Sequence, residues 1–322
     1  MTNTTITDTP AITTRTAVTD TRQPLTPRQL IWRRFRKHRM ALLGGIGLVV
    51  LLVFIIGGSI VFPESRANET DLTRRLAPPS AQHWFGTDSV GRDVFYRIIY
   101  GGQISLFIGF MAVILAVTLG TLVGGLAAYY AGTTDSILMR FTEAMLAIPS
   151  LFLLIVLAKF IGRNVGQINI FGRSFSGSIG IVILVIGITS WMYLARIVRG
   201  NVLSLREMDF ISASKALGAS DRRIFFNHLI PNTMGSIIVA ATLGLAAAIL
   251  AEAYVSFLGL GVQQPTSTWG NMMQQAQSFI IRGAWWMWLF PSAFIVLTIL
   301  CINLLGDGLR DAFDPRSSTK HL

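Results

Sequence analysis

Between Arg97 and Asp135 the chain runs for 37 residues without one charged side chain. Inside hydrocarbon every backbone polar group must be satisfied within its own segment, so an apolar run exceeding the ~20 residues needed to cross a bilayer core confines the fold to membrane-spanning helices. The run is too short for two spans and a turn. It predicts one long helix over residues 104–130, entered through a shoulder at the membrane surface, with Asp135 marking the turn that follows. Charge-free distances place further spans at residues 40–63, 174–195, 233–257 and 286–306. One more, third in chain order, must begin near Ile137, because residues 144–158 alone fall short of a span. It takes in Arg140 and Glu143, three apart on one helical face and able to pair. The expectation is an all-α polytopic membrane protein of six transmembrane helices. With 52% hydrophobic and only 13% charged residues, the chain could not cover a soluble globule of its size.

The basic residues set the orientation. Of 27 Lys and Arg, eighteen fall on the side that holds the N-terminal segment, the turn near Arg140, the loop between the fourth and fifth spans and the C-terminal segment; nine fall on the other. The positive-inside bias then puts both termini in the cytoplasm. The net charge of +11 is strung along segment flanks rather than gathered on one face, which argues against nucleic acid. Eleven threonines in the first 27 residues predict a disordered tail over residues 1–30. "WRRFRKHRMALL" follows, a basic cluster suited to anionic lipid, and the apolar run behind it reads as a retained anchor rather than a cleaved leader. Trp285, Trp286 and Trp288 stand where an aromatic belt would lie.

"ISASKALGASDRRIFFNHLIPN" is the polar island between the fourth and fifth spans. Asp209 is a good N-cap for a helix over 210–217, in which Phe210, Ala213 and Leu217 recur at helical spacing. Gly218 stops it in the manner of a C′ glycine. Ser220 opens a second helix that carries Asp221, Arg222 and Arg223 into 224–230, and Pro231 ends it. Two short helices hinged at a glycine, with one apolar edge outward, suit a surface helix on lipid headgroups and a docking element for a partner protein equally well.

Residues that would carry chemistry are scarce. None of the four lysines follows a glycine, so no phosphate-binding Gly-Lys loop is present and the chain is not expected to hydrolyse ATP. His38, His83, His228 and His321 lie apart from one another and from the single cysteine, Cys301, so no metal site is expected. Glu252 is the one acid deep in an apolar span, which points to a pathway or a bracing contact. Gly120 and Gly124 have the spacing for close helix packing. Asp88, Arg92 and Asp93 can cap and pair locally. Pro265 and Gly270 punctuate a turn that holds Trp269, at the interface or near an outer gate.

The block "DFISASKALGASDRRIFFNHLIPN" resembles the cytoplasmic EAA loop of binding-protein-dependent importers of the ATP-binding-cassette (ABC) class. Ala213, Gly218 and Pro231 match that pattern; Ser212 stands in place of its Glu and Ser214 in place of its second Ala. "HWFGTDSVGRDVFYRIIYGGQISL", "AEAYVSFLGLGVQQPTSTWGNMM" and "NLLGDGLRDAFDP" resemble the C-type permease subunit of dipeptide and oligopeptide importers. The resemblance implies a type I importer permease in the bacterial cytoplasmic (inner) membrane: residues 31–103 as anchor, first span and extracytoplasmic segment, residues 104–306 as a five-helix core, and residues 307–322 as a cytoplasmic tail. The loop over 199–232 would be the coupling element. Asp209, Phe210, Ser212, Ala213, Ser214, Leu217, Gly218, Asp221, Arg222 and Pro231 would meet the ATPase, while Glu252 and Trp269 would belong to the substrate pathway. Implied partners are a homologous second permease, two cytoplasmic ABC ATPases that carry ATP and magnesium, an extracytoplasmic substrate-binding protein and membrane lipid; no cofactor is expected on this chain. Nickel chelates or glutathione are alternative cargoes within the family. An ion-coupled secondary transporter is the more distant alternative.

Overall fold

The structure, a computed structural model, describes residues 26–161, 166–170 and 173–313. Most of the expected N-terminal tail and the last nine residues lie outside the described residues. Helix α1 (Pro27–Lys37) begins where the sequence supplies every start signal: Thr26 caps the amide of Gln29, the Gln29 side chain caps back, and Pro27 fills the first turn. Residues 27–30, expected in the tail, are therefore the first turn of a basic helix. His38 bends the chain, and its Nδ1 accepts from the Ala41 amide at 3.0 Å to start α2 (Arg39–Val61), the first span.

After α3 (Glu64–Asn68) comes α4 (Val94–Tyr130), one continuous 37-residue helix. The expected shoulder before residue 104 is itself helical. Asp93 caps the Phe95 amide at 2.8 Å, and the charge of Arg97 is met by Asp88 at 2.9 Å, so nothing stops the helix from starting early. The turn sits at Ala131 and Gly132, both with positive φ, rather than at Asp135. Asp135 lies inside α5 (Gly132–Ala147), where Arg199 grips it through two hydrogen bonds of 2.6 Å. Among the described residues Arg140 and Glu143 form no ion pair.

Among the described residues five helices are long and apolar enough to cross a bilayer, and where the third of six spans is expected there is a bent pair of shorter helices. Between α5 and α6 (Ser150–Ile161) the axis bends by 89°. Pro149 is the cause, since it drives the preceding Ile148 into extended backbone (φ −81°, ψ 127°) and so interrupts the helix. A two-stranded antiparallel hairpin follows, β1 (Gln167–Ile170) and β2 (Arg173–Ser176), which the all-α expectation did not contain. It takes up the start of the expected fourth span, whose helix α7 (Ser178–Arg206) runs on to Arg206.

Helix α8 (Asp209–Ala216) is the first half of the polar island. The second half does not end at Pro231; it continues as α9 (Asp221–Phe257), the fifth span. Pro231 removes one amide and would crowd the carbonyl four residues earlier, and the chain answers with a wide π turn at Phe225–Leu229 that lets the helix pass. Asn232 Nδ2 donates to the His228 carbonyl at 2.6 Å, which satisfies a group such a turn exposes. A short α10 (Trp269–Ala276) and the last span α11 (Trp286–Phe313) complete the fold, with α11 extending beyond its expected end at residue 306.

The helices pack around α4. Along α7 the approach is close enough that a Cβ on Gly124 would collide with the Ala195 carbonyl oxygen, and one on Gly120 would lie 2.8 Å from that of Trp191. A central core joins Ile108 and Ala112 of α4 with Val185 and Ile186 of α7 and Ala248 and Val255 of α9. Apolar side chains such as Ile60 and Val296 face outward, as lipid-solvated surfaces allow. Trp286 is not part of an aromatic belt: it is buried, and its indole donates to the Thr87 carbonyl at 3.0 Å.

Candidate functional site: a seated helical hinge and a buried carboxylate

At one end of the bundle, α8 is set between the ends of α7 and α9. Its N-cap is Met208, with no side-chain hydrogen bond, so Asp209 is the first helical residue rather than the cap; it still complements the positive end of the helix dipole. Gly218 has φ +79°. It closes a two-bond C-terminal lock, its own amide donating to the Lys215 carbonyl at 2.9 Å and the Ala219 amide to the Ser214 carbonyl at 3.1 Å. Ser220 then occupies the N-cap position of α9 without a side-chain bond.

The hinge is seated, not tethered. Ile211, Ile224, Phe225 and Leu229 are buried against Ala128 and Tyr129 of α4 and Leu194, Val198 and Val202 of α7. Polar ties reinforce this seat. Tyr129 Oη donates to Asp221 at 2.5 Å, Lys215 lies 5.8 Å from the Tyr129 ring, and Arg206 donates to the Ala128 and Tyr129 carbonyls at 3.1 and 3.2 Å, capping the end of α4. His228 packs beside Phe210 across the hinge, with ring centroids 6.4 Å apart.

The opposite face is open. Phe210, Ser212, Ala213 and Arg222 are exposed, and Leu217 is 88% exposed. Arg222, Arg223, Phe226 and Asn227 border a concavity of about 410 Å³. Ser214 turns its hydroxyl back to the Phe210 carbonyl at 2.7 Å, and Asp221 is committed to Tyr129. Of the ten residues expected to meet a partner, Asp209, Phe210, Ser212, Ala213, Leu217 and Arg222 are exposed on the outward side; Ser214, Gly218 and Asp221 hold the hinge in shape, and Pro231 lies within α9 beyond it.

Glu252 and Trp269 lie together near the other end, both fully buried. Glu252 accepts from Ser105 Oγ of α4 at 2.9 Å and from Ser256 Oγ of α9 at 2.7 Å. Ser105 Oγ in turn accepts the Trp269 amide at 3.2 Å, and the Trp269 indole donates to the Ile98 carbonyl at 3.1 Å. Thr268 and Asn271 cap α10 reciprocally, and Asn271 reaches the Val262 and Thr266 carbonyls at 3.1 and 2.8 Å. Both residues are thus enclosed in a network that binds α4, α9 and α10; in this conformation neither faces an opening.

Sequence reading found the outward edge of the hinge and missed its anchors. Ile211 falls off the Phe210–Ala213–Leu217 stripe, and that offset was the available signal that it points the other way. Ser256 lies four residues after Glu252 on the same face, a spacing that could have flagged it. Ser105 is 147 residues distant and carries no local signal.

Residues 116–319 match the family model described as "Binding-protein-dependent transport system inner membrane component", and residues 26–79 match the "N-terminal TM domain of oligopeptide transport permease C". The chain is 43% identical over 295 residues to the dipeptide transport system permease protein DppC of Bacillus subtilis (strain 168), covering 92% of this chain and 88% of that one. It is 38% identical to the oligopeptide transport system permease protein OppC of the same organism, covering 88% of each. With the glutathione transport system permease protein GsiD of Escherichia coli O6:K15:H31 (strain 536 / UPEC) it shares 39% identity, covering 91% of this chain and 92% of that one. Among solved structures, the inward-facing MetNI methionine ABC transporter aligns with a TM-score of 0.52 at 19% identity, covering 68% of this chain and 97% of that one, a likeness of fold.

Proposed function

The chain belongs to the family of binding-protein-dependent transport system inner membrane components, as an ABC importer permease of the dipeptide and oligopeptide group, and from that premise we propose how it works in a peptide importer. It pairs with a homologous second permease, and two ABC ATPases bind ATP and magnesium in the cytoplasm. An extracytoplasmic binding protein delivers peptide. The hinge and both termini face the cytoplasm, in keeping with the eighteen-to-nine bias of basic residues. ATP binding closes the ATPases on α8, and the bundle turns from inward-open to outward-open; hydrolysis resets it. Glutathione is itself a modified tripeptide, so a glutathione permease among the relatives keeps the cargo within one chemical class.

The observation that carries this reading is the two-faced build of the hinge: Ile211 is wholly buried while Leu217, six residues on, is 88% exposed. A lever that docks a motor needs this combination, because a free tether would absorb the motion. Glu252 and Trp269 act as braces of the pathway wall. The test is a cysteine at Ala213, crosslinked in membranes that hold the complete transporter. A crosslink to an ATPase subunit that changes in yield with ATP is expected. Crosslinks to lipid alone, or a purified assembly without an ATPase, would defeat the proposal.

A further inference from the structure

The basic helix α1 takes no part in the hinge or in the Glu252 network, yet its seat is well defined. From Thr26 to Met40 the chain carries six cations, Arg28, Arg33, Arg34, Arg36, Lys37 and Arg39, and no acid. The helix has two sides. Ile31, Arg34, Phe35 and His38 recur at helical spacing and are half-buried, whereas Arg33, Arg36 and Lys37, also on one face, are exposed together with Leu30 and Trp32.

Helix α1 packs on α11, the last span. His38 Nδ1 accepts the Ala41 amide, which leaves its Nε2 to donate to Asp311 of α11 at 3.3 Å. Beside this contact Gly308 of α11 leaves no room for a side chain against Ala41. The elbow between α1 and α2 is thus fixed on the end of α11, and that fixes the depth of the exposed face. Leu43 and Ile46 of α2 are 59% and 62% exposed within an apolar span, so they face hydrocarbon. Arg39 precedes Leu43 by four residues, ~6 Å of helix rise, and α1 turns aside at His38 just before it. The face of Arg33, Arg36 and Lys37 therefore lies at the level of the lipid headgroups. Trp32 suits that level too, stacked on Phe35 with ring centroids 6.0 Å apart and with the Arg36 guanidinium 5.9 Å from its ring.

The chain does not neutralise this charge itself. Among the described residues no carboxylate pairs with Arg33, Arg36 or Lys37. The end of α11 brings Asp307, Arg310 and Asp311, and His38 engages Asp311. Counting Arg310 with the six cations, the two aspartates leave five positive charges. The two ends of the sequence offer no surplus of acid: residues 1–25 hold two aspartates and two arginines, and residues 314–322 one aspartate, one arginine and one lysine.

We propose that the Arg33, Arg36 and Lys37 face of α1 binds the phosphate-bearing headgroups of anionic phospholipids. Free phosphate shares that chemistry; the depth set by Leu43 selects lipid. The proposal stands whether or not the hinge meets an ATPase. The full chain in neutral detergent is titrated with phosphatidylglycerol or with phosphatidylcholine, and bound lipids are counted by native mass spectrometry. The first phosphatidylglycerol is expected to bind more tightly than the first phosphatidylcholine. Each cation near an anionic surface is worth about five-fold, so Arg33→Gln, Arg36→Gln and Lys37→Gln combined should weaken the first phosphatidylglycerol about 100-fold and leave phosphatidylcholine unaltered. Arg33→Lys with Arg36→Lys should retain the preference. All three residues are exposed, and the basic bias falls only to fifteen against nine, so the glutamine variant should fold and insert. Phosphatidylglycerol brominated near its headgroup should quench fluorescence more than brominated phosphatidylcholine, and Trp32→Phe should remove the excess. Equal affinity for the two lipids, undiminished phosphatidylglycerol binding in the glutamine variant, excess quenching that survives Trp32→Phe, or displacement of the lipid by equimolar inorganic phosphate would each overturn it.

Discussion

Leu217→Ser tests the two-faced hinge most directly. Leu217 ends α8 at 88% exposure and supports nothing in this chain, so the substitution should change the stability of the isolated permease by less than ~0.5 kcal/mol. If an ATPase covers it, nearly the whole side chain is available for burial. Covering a leucine is worth ~2 kcal/mol, and its loss should weaken association of permease and ATPase about 30-fold, at ~1.4 kcal/mol per decade. Ile211→Ala should behave in the opposite way. Ile211 is 0% exposed, and emptying its site costs ~2–5 kcal/mol of local stability. The assay titrates purified ATPase onto permease in nanodiscs, with thermal melting of each permease alone beside it. Unaltered ATPase affinity and wild-type uptake for Leu217→Ser would refute the reasoning, since the exposed leucine would then dock nothing.

Five further substitutions, at four positions, probe the rest of the frame. Gly124→Ala drives a Cβ against the Ala195 carbonyl and should lower stability by ~1–3 kcal/mol, whereas Gly200→Ala, which meets nothing within 4 Å, should be neutral or gain up to ~1 kcal/mol from helix propensity; melting of the two variants decides. Glu252→Gln should keep uptake and its pH profile, while Glu252→Leu, which strands the Ser105 and Ser256 hydroxyls, should cost ~1–3 kcal/mol in melting; a steep change in the pH profile of the Gln variant would instead make Glu252 a proton carrier. Gly218→Pro cannot adopt φ +79°, and membrane insertion with ATPase activity uncoupled from uptake is expected; wild-type uptake would contradict the assignment of the hinge.

The spans were legible because hydrocarbon punishes charge over a fixed length, and that rule needs no partner residue to be known. Where one side chain neutralises another far off, the rule fails. Arg97 looked like a boundary, yet Asp88 lets α4 run through it. Pro149 and Pro231 show that a proline alone does not announce its effect. The first breaks a span by 89°, while the second is absorbed by a π turn, and the difference lies in the tertiary support around Phe225 and Leu229. The Gly218 stop was readable since its cause is local backbone geometry. The seat of the hinge and the partners of Glu252 were not, as both depend on contacts between helices distant in sequence.

The two candidate regions share their helices, and this bears on how a pull at the hinge could act across the membrane. Helix α4 and helix α9 each have 37 residues and pack together; at 1.5 Å per residue each is ~55 Å long, well beyond the ~30 Å hydrocarbon core. They are tied twice. Tyr129 holds Asp221 at the hinge end, and Ser105 holds Glu252 toward the other. The 24 residues from Ser105 to Tyr129 space these ties ~36 Å apart along α4. One tie would let the helices pivot about it; two at that separation make the pair a single strut. To carry an equilibrium from 1:99 to 99:1 the strut must transmit ~5.5 kcal/mol without yielding, which favours a rigid pair with its polar groups satisfied over a compliant one. On this view Glu252 is buried in an apolar span because the tie farthest from the motor must not slip.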